Sequence, residues 1–393
     1  MSERNENIDS ITLHHEHSGK IEITSSVEVN TEQDLSVVYT PGVSEVCKAI
    51  TKDETKANTL TARGNMIAVI TDGTAVLGLG DIGPKAAIPV MEGKSILFKQ
   101  LANVDAFPIS LDTKDTEAII SIIKALQPNF AGINLEDIAA PRCFEIEKRL
   151  IDELDIPVFH DDQHGTAIVV LAALINALKV VQKESDYAKI IINGAGSAGI
   201  AIAKLLLEAG YKDITLVSLE GILNKAKTWM NKAQQNIASC TNPDDQKGTL
   251  DDVIQNADVF IGVSGPKALT EAHVRSMNDD PIIFALANPT PEIYPEEAVG
   301  AGAAIVGTGR SDYPNQINNL LAFPGIFRGV LDAHANEITT DMKIAAAKAI
   351  ADTIGEEQLT PDFVIPHALN PHVAHEVAGA VKHHAKNGEK VLI

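Results

Sequence analysis

The chain has 393 residues, of which 45% are hydrophobic, and a formal net charge of -21 at pH 7. This length favours two domains, because a single hydrophobic core rarely grows beyond about 250–300 residues. The negative charge argues against a nucleic-acid partner or an anionic membrane, since both require a basic footprint. An anionic ligand would need a positive charge that is local to its site.

The cysteines and the N-terminus predict a cytoplasmic protein. Cys47, Cys143 and Cys240 are widely spaced, show no metal-ligand pattern and fit free thiols in a reducing compartment. The first ten residues, MSERNENIDS, lack the apolar core of a secretory signal. The most apolar run, at 166–181, is interrupted by Asn176 and Lys179. It therefore predicts a buried core helix, and no membrane span is expected.

Short β-branched runs alternate with helical patterns along most of the chain. Strand-like runs at 66–71, 130–134 and 156–160 alternate with amphipathic patterns at 116–127 and 141–154. Further along, AKIIIN, DITLVS, DVFIGVS, PIIFALA and AAIVGT are strand candidates, and 339–354 predicts a helix. The alternation predicts an α/β fold with parallel sheets covered by helices on both faces.

A phosphate-binding unit in the second half of the chain suggests where the domains divide. In AKIIINGAGSAGIAIAKLLLEAG, Gly194, Gly196 and Gly199 form a G-x-G-x-x-G pattern around Ser197 and Ala198. A strand precedes these glycines and a helix follows them, as in dinucleotide-binding folds; a ligand-free tight turn is the alternative. We predict an N-terminal α/β catalytic domain over 1–160. A Rossmann-like NAD(P)-binding domain with C-terminal helices is predicted over 161–393.

The next strand leaves the choice between NAD and NADP open. Rossmann folds carry an acid for the ribose hydroxyls about 20 residues past the glycines. Here the strand DITLVS ends at Ser218, which Leu219 and Glu220 follow. Ser218 weakens a preference for NAD, whereas Glu220 would repel the 2′-phosphate of NADP.

The stretch VFHDDQHGTA, at 158–167, has four interpretations: a zinc site, a helix cap, a hard-metal site or a catalytic acid/base pair. His160 and His164 are spaced i, i+4, as in a zinc-protease helix, but those helices carry Glu directly after the first His. The segment is also predicted to be a strand end and loop, where this spacing has no special meaning. Helix capping by the acids is the second interpretation.

A hard-metal site is the third interpretation. Glu136 and Asp137 end one predicted strand in the same way that Asp162 ends the next. The carboxyl ends of parallel strands meet in one crevice, so these three carboxylates could surround one Mg²⁺ or Mn²⁺.

The order of the motifs resembles the malic enzymes of the short bacterial kind. Each motif alone is moderately specific, but their succession covers most of the chain and is highly specific. The matching stretches are YTPGV (39–43), TDGTAVLGLGDIGP (71–84), PVMEGKSILFK (89–99), GINLEDIAAPRCFEIE (132–147), VFHDDQHGTA (158–167), GAGSAG (194–199), ALANPTPEIYP (285–295) and GRSDYPNQINNLLAFPGIFRG (309–329).

The resemblance implies oxidative decarboxylation of L-malate to pyruvate and CO₂, with NAD or NADP and Mg²⁺ or Mn²⁺. It also implies turnover of oxaloacetate and a homodimer. By resemblance Tyr39 is the general acid, Lys94 the general base and Asp161 their supporting carboxylate. The remaining implied roles are metal ligation by Glu136, Asp137 and Asp162, and contact of Asn288 and Asn319 with substrate and nicotinamide.

Chemistry accounts for these residue types, although each also has an ordinary structural role. A lysine serves as a base only if its pKa is lowered, by desolvation or by a nearby cation. Taken singly, Tyr39 could be a half-buried aromatic and Lys94 a solvated turn lysine. In the same way, Asn288 could initiate a turn and Asn319 could be a helix-surface amide.

Two other functions remain open at this stage. A metal-dependent oxaloacetate decarboxylase with little redox activity would keep the same acids, Lys94 and Tyr39 but relax the nucleotide site. The stretch Ser218–Gly221 favours it, whereas the intact glycine pattern argues against it. A nucleotide-sensing protein without catalysis would have a damaged acid/base or metal set, and no position is damaged.

Overall fold

The computed structural model describes residues 9–76, 78–388 and 391. Within them, two sheets follow one another along the chain. The first has the order β2-β1-β3-β4 and all its strands are parallel. Its strands are β1 (Met66–Thr71), β2 (Asp105–Ser110), β3 (Gly132–Leu135) and β4 (Val158–His160).

The second sheet has the order β10-β9-β8-β5-β6-β7, and β7 is its antiparallel member. Its strands are β5 (Lys189–Asn193), β6 (Asp213–Ser218), β7 (Gly221–Ile222), β8 (Val259–Gly262), β9 (Ile282–Ala285) and β10 (Ile305–Thr308). The predicted α/β fold with parallel sheets is confirmed.

Helices connect the strands and cover both sheets. In the first half they are α1 (Ser10–His17), α2 (Glu32–Val38), α3 (Val43–Lys52), α4 (Ala57–Leu60), α5 (Pro84–Ala102), α6 (Thr116–Leu126) and α7 (Arg142–Glu153). The remaining ones are α8 (Asp161–Val181), α9 (Ser197–Glu208), α10 (Lys232–Ala238), α11 (Leu250–Val253), α12 (Glu271–Ser276), α13 (Pro295–Gly300), α14 (Phe323–Ala333), α15 (Thr340–Asp352) and α16 (Pro371–Asn387). Short 3₁₀ helices lie at Glu54–Lys56, Ala62–Asn65, Gln127–Asn129, Asn319–Leu321 and Glu356–Gln358.

Strand β2 has no counterpart in the sequence prediction. Its sequence, DAFPIS, contains Pro108, which has no N–H to donate to a sheet and weakens a strand pattern. The structure places β2 at the edge of the first sheet, where only one neighbour, β1, requires pairing.

The helix α8 corrects the prediction of a loop after His160. It begins at Asp161, directly after β4, so both aspartates lie in its first turn. By length and composition α8 is the one helix of the described residues that could cross a membrane, but 67% of its apolar window is buried inside the protein. It packs on α9 and α15, so the predicted buried core helix is confirmed.

The largest core is shared by the two sheets. It contains one face of each sheet, represented by Ile67 and Ile190, and joins them through α8, α14 and α16. Two smaller cores cover the opposite faces, represented by Ile133 and Phe260. The carboxyl ends of the two sheets therefore border one region beside α8. The domain boundary near residue 160 stays a prediction, because the main core spans it.

Candidate active site

Four carboxylates meet where β3 and β4 end. Glu136 and Asp137 directly follow β3, and Asp161 and Asp162 open α8 directly after β4. The backbone N–H of Asp137 donates to Asp162 Oδ2 at 2.8 Å, which joins the two segments. One carboxylate oxygen each from Glu136, Asp137 and Asp162 lies within 4.8 Å of the other two.

The carboxylates of Glu136, Asp137 and Asp162 have the chemistry of a divalent-cation site. Burial and mutual repulsion raise the pKa of Asp137 to about 8 and that of Glu136 to about 7. Burial, with repulsion from Asp161, also raises the pKa of Asp162 to about 6. Asp137 Oδ2 is buried and accepts no hydrogen bond from the described residues. Oxygen ligands of this kind suit Mg²⁺ or Mn²⁺, so the residues present fit the predicted cation.

Lys94 lies beside this cluster on α5 and is only 8% exposed. Its Nζ donates to Glu136 Oε2 at 2.5 Å and to Asp161 Oδ2, and it lies 4.5 Å from the ring centroid of Phe323. Burial by itself would lower the pKa of Lys94, but Asp161 and Glu136 outweigh it and raise the pKa above its ordinary value. This shift of the pKa is opposite to the one expected of a base, because the surrounding acids stabilise the charged amine.

Asp161 is fully buried and connects Lys94 to the second half of the chain. Its Oδ2 accepts hydrogen bonds from Lys94 Nζ and from Asn319 Nδ2. Burial raises the pKa of Asp161 to about 7, against the lowering effect of Lys94. One turn along α8, Gly165 makes room for this carboxylate, because a Cβ there would lie 2.0 Å from Asp161 Oδ1.

Neither histidine of this segment is hydrogen-bonded to the carboxylates of Glu136, Asp137 or Asp162. His164 Nε2 lies 2.9 Å from Glu147 Oε1 on α7. The ring of His160 is fully buried, and its Nδ1 is 3.7 Å from Asp162 Oδ2, beyond hydrogen-bond distance. Burial lowers the pKa of His160 to about 4. Within the described residues the metal-like cluster contains only carboxylates, so the zinc interpretation has no support.

A cavity of about 560 Å³ extends from Asp162 to the glycine-rich turn. Its lining residues include Asp162, Thr166, Gly196, Ser197, Ala198, Asn288, Asn318 and Asn319. Gly194 has φ 125°, and a Cβ on Gly199 would overlap the Gly194 carbonyl, so the turn requires both glycines. The N-terminus of α9 faces the cavity, an arrangement suited to a pyrophosphate.

Ser218 lies at the end of β6 and does not line the cavity. Its Oγ donates to the Glu220 carboxylate at 2.9 Å and accepts from the Glu220 N–H at 3.2 Å. The exposed Glu220 is thus held beside the strand end at which Rossmann folds receive the adenosine ribose.

Comparisons with known proteins identify the family. A model described as "Malic enzyme, N-terminal domain" matches residues 18–151, and one described as "Malic enzyme, NAD binding domain" matches residues 163–386. The chain belongs to the malic enzyme family. It is 59% identical to an NAD-dependent malic enzyme of Geobacillus stearothermophilus, over 92% of this chain and 76% of that protein.

Other members of the family agree in sequence and in structure. The chain is 56% identical to a bifunctional malic/malolactic enzyme of Bacillus subtilis, over 95% of this chain and 91% of that protein. A crystal structure of an NAD-dependent malic enzyme from Thermotoga maritima superposes with a TM-score of 0.93 at 48% identity. That match covers 96% of this chain and 99% of the other.

Tyr39 is the one predicted catalytic residue that a single copy of the chain does not bring to the others. It follows α2, is 67% exposed and forms no hydrogen bond with Lys94. The helices α1 to α3 around it contribute no buried side chain.

Sequence reasoning did not assign several residues that shape the site of this family member. They are Gly165, which makes room for Asp161, Asn318, which lines the cavity, and the buried acids Glu147 and Glu292. Glu292 accepts from the Ser264 and Ala287 N–H groups at 3.0 Å each, which ties two cavity loops together. The only signal for Glu292 was its place in a proline-containing stretch, and the polar sequence around Glu147 gave none.

Proposed function

We propose that the chain oxidises L-malate with a nicotinamide nucleotide and decarboxylates the product to pyruvate, with oxaloacetate as a second substrate. The observation that carries the proposal is the buried contact of Lys94 with Asp161 and Glu136, which Asn319 of the cavity lining joins through Asp161. The relatives named as malic enzymes supply the reaction, and this arrangement supplies groups that can perform it.

The cation, Mg²⁺ or Mn²⁺, is proposed to bind the carboxylates of Glu136, Asp137 and Asp162. When bound, the cation supplies Lewis-acid polarisation of the substrate carbonyl during loss of CO₂. Among the described residues, the cavity lining contains no lysine or arginine, so a dicarboxylate needs the positive charge of the cation. This need supports the metal assignment.

The nucleotide is proposed to lie along the cavity, with its pyrophosphate at Gly194, Gly196 and Gly199 and beside Ser197 and Ala198. When bound, its nicotinamide supplies the hydride acceptor for C2 of malate. Asn288 and Asn319, at the other end of the cavity, are proposed to orient nicotinamide and substrate. NAD and NADP both remain candidates, with Ser218 at the ribose end.

Lys94 is the proposed acceptor of the proton that leaves the 2-hydroxyl of malate. Its hydrogen bond to Asp161 gives the proton an onward path, because burial raises the pKa of that carboxyl. Lys94 must be neutral to accept this proton, and a bound cation would offset the carboxylate charges that raise the pKa of its amine. Asn319 donates to the same oxygen, Oδ2, and so helps to hold Asp161 in place during this transfer.

Tyr39 is the proposed donor of the proton to C3 after CO₂ has left, and a second copy of the chain is proposed to complete its surroundings. Apolar side chains near it are exposed in the single chain: Leu35, Val37, Val38, Val43 and Val46. The chain exposes 19440 Å², whereas a compact monomer of 41.9 kDa exposes about 15,000 Å². A homodimer that covers this face is therefore proposed, in the cytoplasm, where three free cysteines stay reduced.

The function is tested with purified protein, L-malate and Mn²⁺, with NAD⁺ and NADP⁺ compared and oxaloacetate loss followed in parallel. Nucleotide reduction that yields an equal amount of pyruvate supports the proposal. Oxaloacetate decarboxylation without malate-dependent reduction would instead identify a decarboxylase on the same scaffold. Sedimentation of the same sample tests the dimer, which a monomeric mass at assay concentration would refute.

A further inference from the structure

Glu147 is a buried acid that the proposed reaction does not use. It lies on α7, is 6% exposed and faces the start of α8 across the end of β4. A carboxylate is costly to bury unless it is hydrogen-bonded, so its partners should show what it does.

Its three hydrogen bonds all go to the segment that carries the catalytic aspartates. Oε1 accepts from the backbone N–H of His160 at 3.0 Å and lies 2.9 Å from His164 Nε2. Oε2 accepts from Gln163 Nε2 at 3.1 Å. The three partners occupy positions 160, 163 and 164, so they bracket Asp161 and Asp162 on both sides.

Helix α8 has no cap of its own at this end. The N-cap residue, His160, forms no side-chain hydrogen bond to the helix. In a capping box, the side chain three residues later, here Gln163, would accept the backbone N–H of the N-cap residue. Here Glu147 of a neighbouring helix accepts that N–H, and the amide of Gln163 turns to Glu147 as well. An anion at this place also suits the positive end of the helix.

Glu147 is held in its charged form. Burial by itself would raise the pKa of Glu147, but the interaction with His164, with Lys343 nearby, outweighs burial and lowers it. The carboxylate therefore keeps its full capacity to accept hydrogen bonds at neutral pH.

We propose that Glu147 is a positioning residue, which fixes the first turn of α8 so that Asp162 faces Asp137 and Asp161 faces Lys94. It touches neither substrate nor cation and acts through the backbone of His160 and the side chains of Gln163 and His164. The inference rests on the proposed function, because it assumes that Asp162 binds the divalent cation.

The test compares two variants by Mn²⁺ binding alone, measured by electron paramagnetic resonance without nucleotide or substrate. Glu147→Met keeps the length of the side chain and removes both acceptor oxygens, so the Kd for Mn²⁺ should rise tenfold or more. Glu147→Gln keeps an oxygen for His160 and His164, and the Gln163 amide can turn to meet the new amide. Its Kd should stay within threefold of that of the unmodified chain. Equal affinity in the unmodified chain and in Glu147→Met would overturn the inference.

Asp258 provides a matched control. It is also a buried acid that accepts a backbone N–H, from Lys189 at 2.9 Å, together with the side chains of Lys183 and Asn278. It lies just before β8, at the end of the sheet opposite to the cavity. Asp258→Leu should leave the Kd for Mn²⁺ unchanged; a rise equal to that of Glu147→Met would attribute the effect to general destabilisation and refute the positioning role.

Further measurements distinguish failure of the positioning role from failure of the proposed metal site. If Glu147→Met does not fold, Gln163→Met replaces it as the test variant, because it removes one of the three hydrogen bonds to Glu147. Its Kd for Mn²⁺ should rise at least threefold, and an unchanged Kd would overturn the inference. An unmodified chain that binds no Mn²⁺ would overturn the proposed metal site and this inference together. Normal Mn²⁺ binding by the unmodified chain and by Glu147→Met would overturn the positioning role alone.

Discussion

Gly165→Ala should remove activity from a chain that still folds. The new Cβ would lie 2.0 Å from Asp161 Oδ1 and 3.0 Å from Asn319 Cβ, and real Cβ atoms do not approach other heavy atoms closer than 3.0 Å. Asp161 must therefore move by about 1 Å, away from its contacts with Lys94 and Asn319. A misplacement of about 1 Å at a reacting group costs about 100-fold in rate.

The effect on stability should be small by comparison. Alanine in place of glycine inside a helix gains about 1 kcal/mol, and overpacking costs about 1–3 kcal/mol. The free energy of unfolding should therefore fall by about 0–2 kcal/mol, which corresponds to a decrease in Tm of less than about 8 °C. The assay is kcat for malate oxidation beside a thermal melt of the same sample.

A control for Gly165→Ala is available in another helix. Gly379 lies on an exposed position of α16, and a Cβ there would meet nothing within 4 Å. Gly379→Ala should keep full activity with equal or higher Tm. If Gly165→Ala kept kcat within threefold of the unmodified chain, the assignment of Asp161 to the catalytic group would be wrong.

Three further predictions concern the proposed base, the ribose end of the nucleotide and the loops beside the cavity. Lys94→Ala should lower kcat about 10²–10⁴-fold and keep Mn²⁺ binding, which stopped-flow kinetics and a Mn²⁺ titration would check; normal turnover would exclude it as the base. Glu220→Gln should raise the NADP-to-NAD ratio of kcat/KM about fivefold or more by removing repulsion of the 2′-phosphate, and an unchanged ratio would remove Glu220 from the ribose end. Glu292→Gln presents an NH₂ group to the backbone N–H of Ser264 or Ala287, so one hydrogen bond that holds a cavity loop is lost, at a cost of about 1–3 kcal/mol in free energy. The KM for the nucleotide should therefore rise. An unaltered KM would show that these loops do not contribute to nucleotide binding.

Much of the fold follows from local sequence patterns. The strands β1 and β6 have the bounds predicted from the β-branched runs MIAVIT and DITLVS, because buried parallel strands are apolar without interruption. The prediction fails where context overrides pattern. Pro108 conceals the edge strand β2, and the polar HDDQH segment suggests a loop although its acids open a helix with a cap from outside.

The candidate site was predictable in its residue types, less so in its contacts. The rule that the carboxyl ends of parallel strands meet is enough to expect Glu136 and Asp137 near Asp162, and these three do lie together. Sequence alone does not show that Asp161 contacts Lys94, or that Glu147 reaches α8 from another helix, because both contacts join residues far apart in the chain. The exposure of Tyr39 could not be anticipated either, since it depends on the packing of a whole N-terminal segment.

The central claim is that one cavity both removes hydride from C2 of malate and releases CO₂. L-Malate labelled with deuterium at C2 tests it most directly, with Mn²⁺ and the faster of the two nucleotides. The proposed function predicts one deuterium on the reduced nicotinamide for each pyruvate formed, and Gly165→Ala should slow both products equally. Pyruvate formed without deuterium on the nucleotide would contradict the claim.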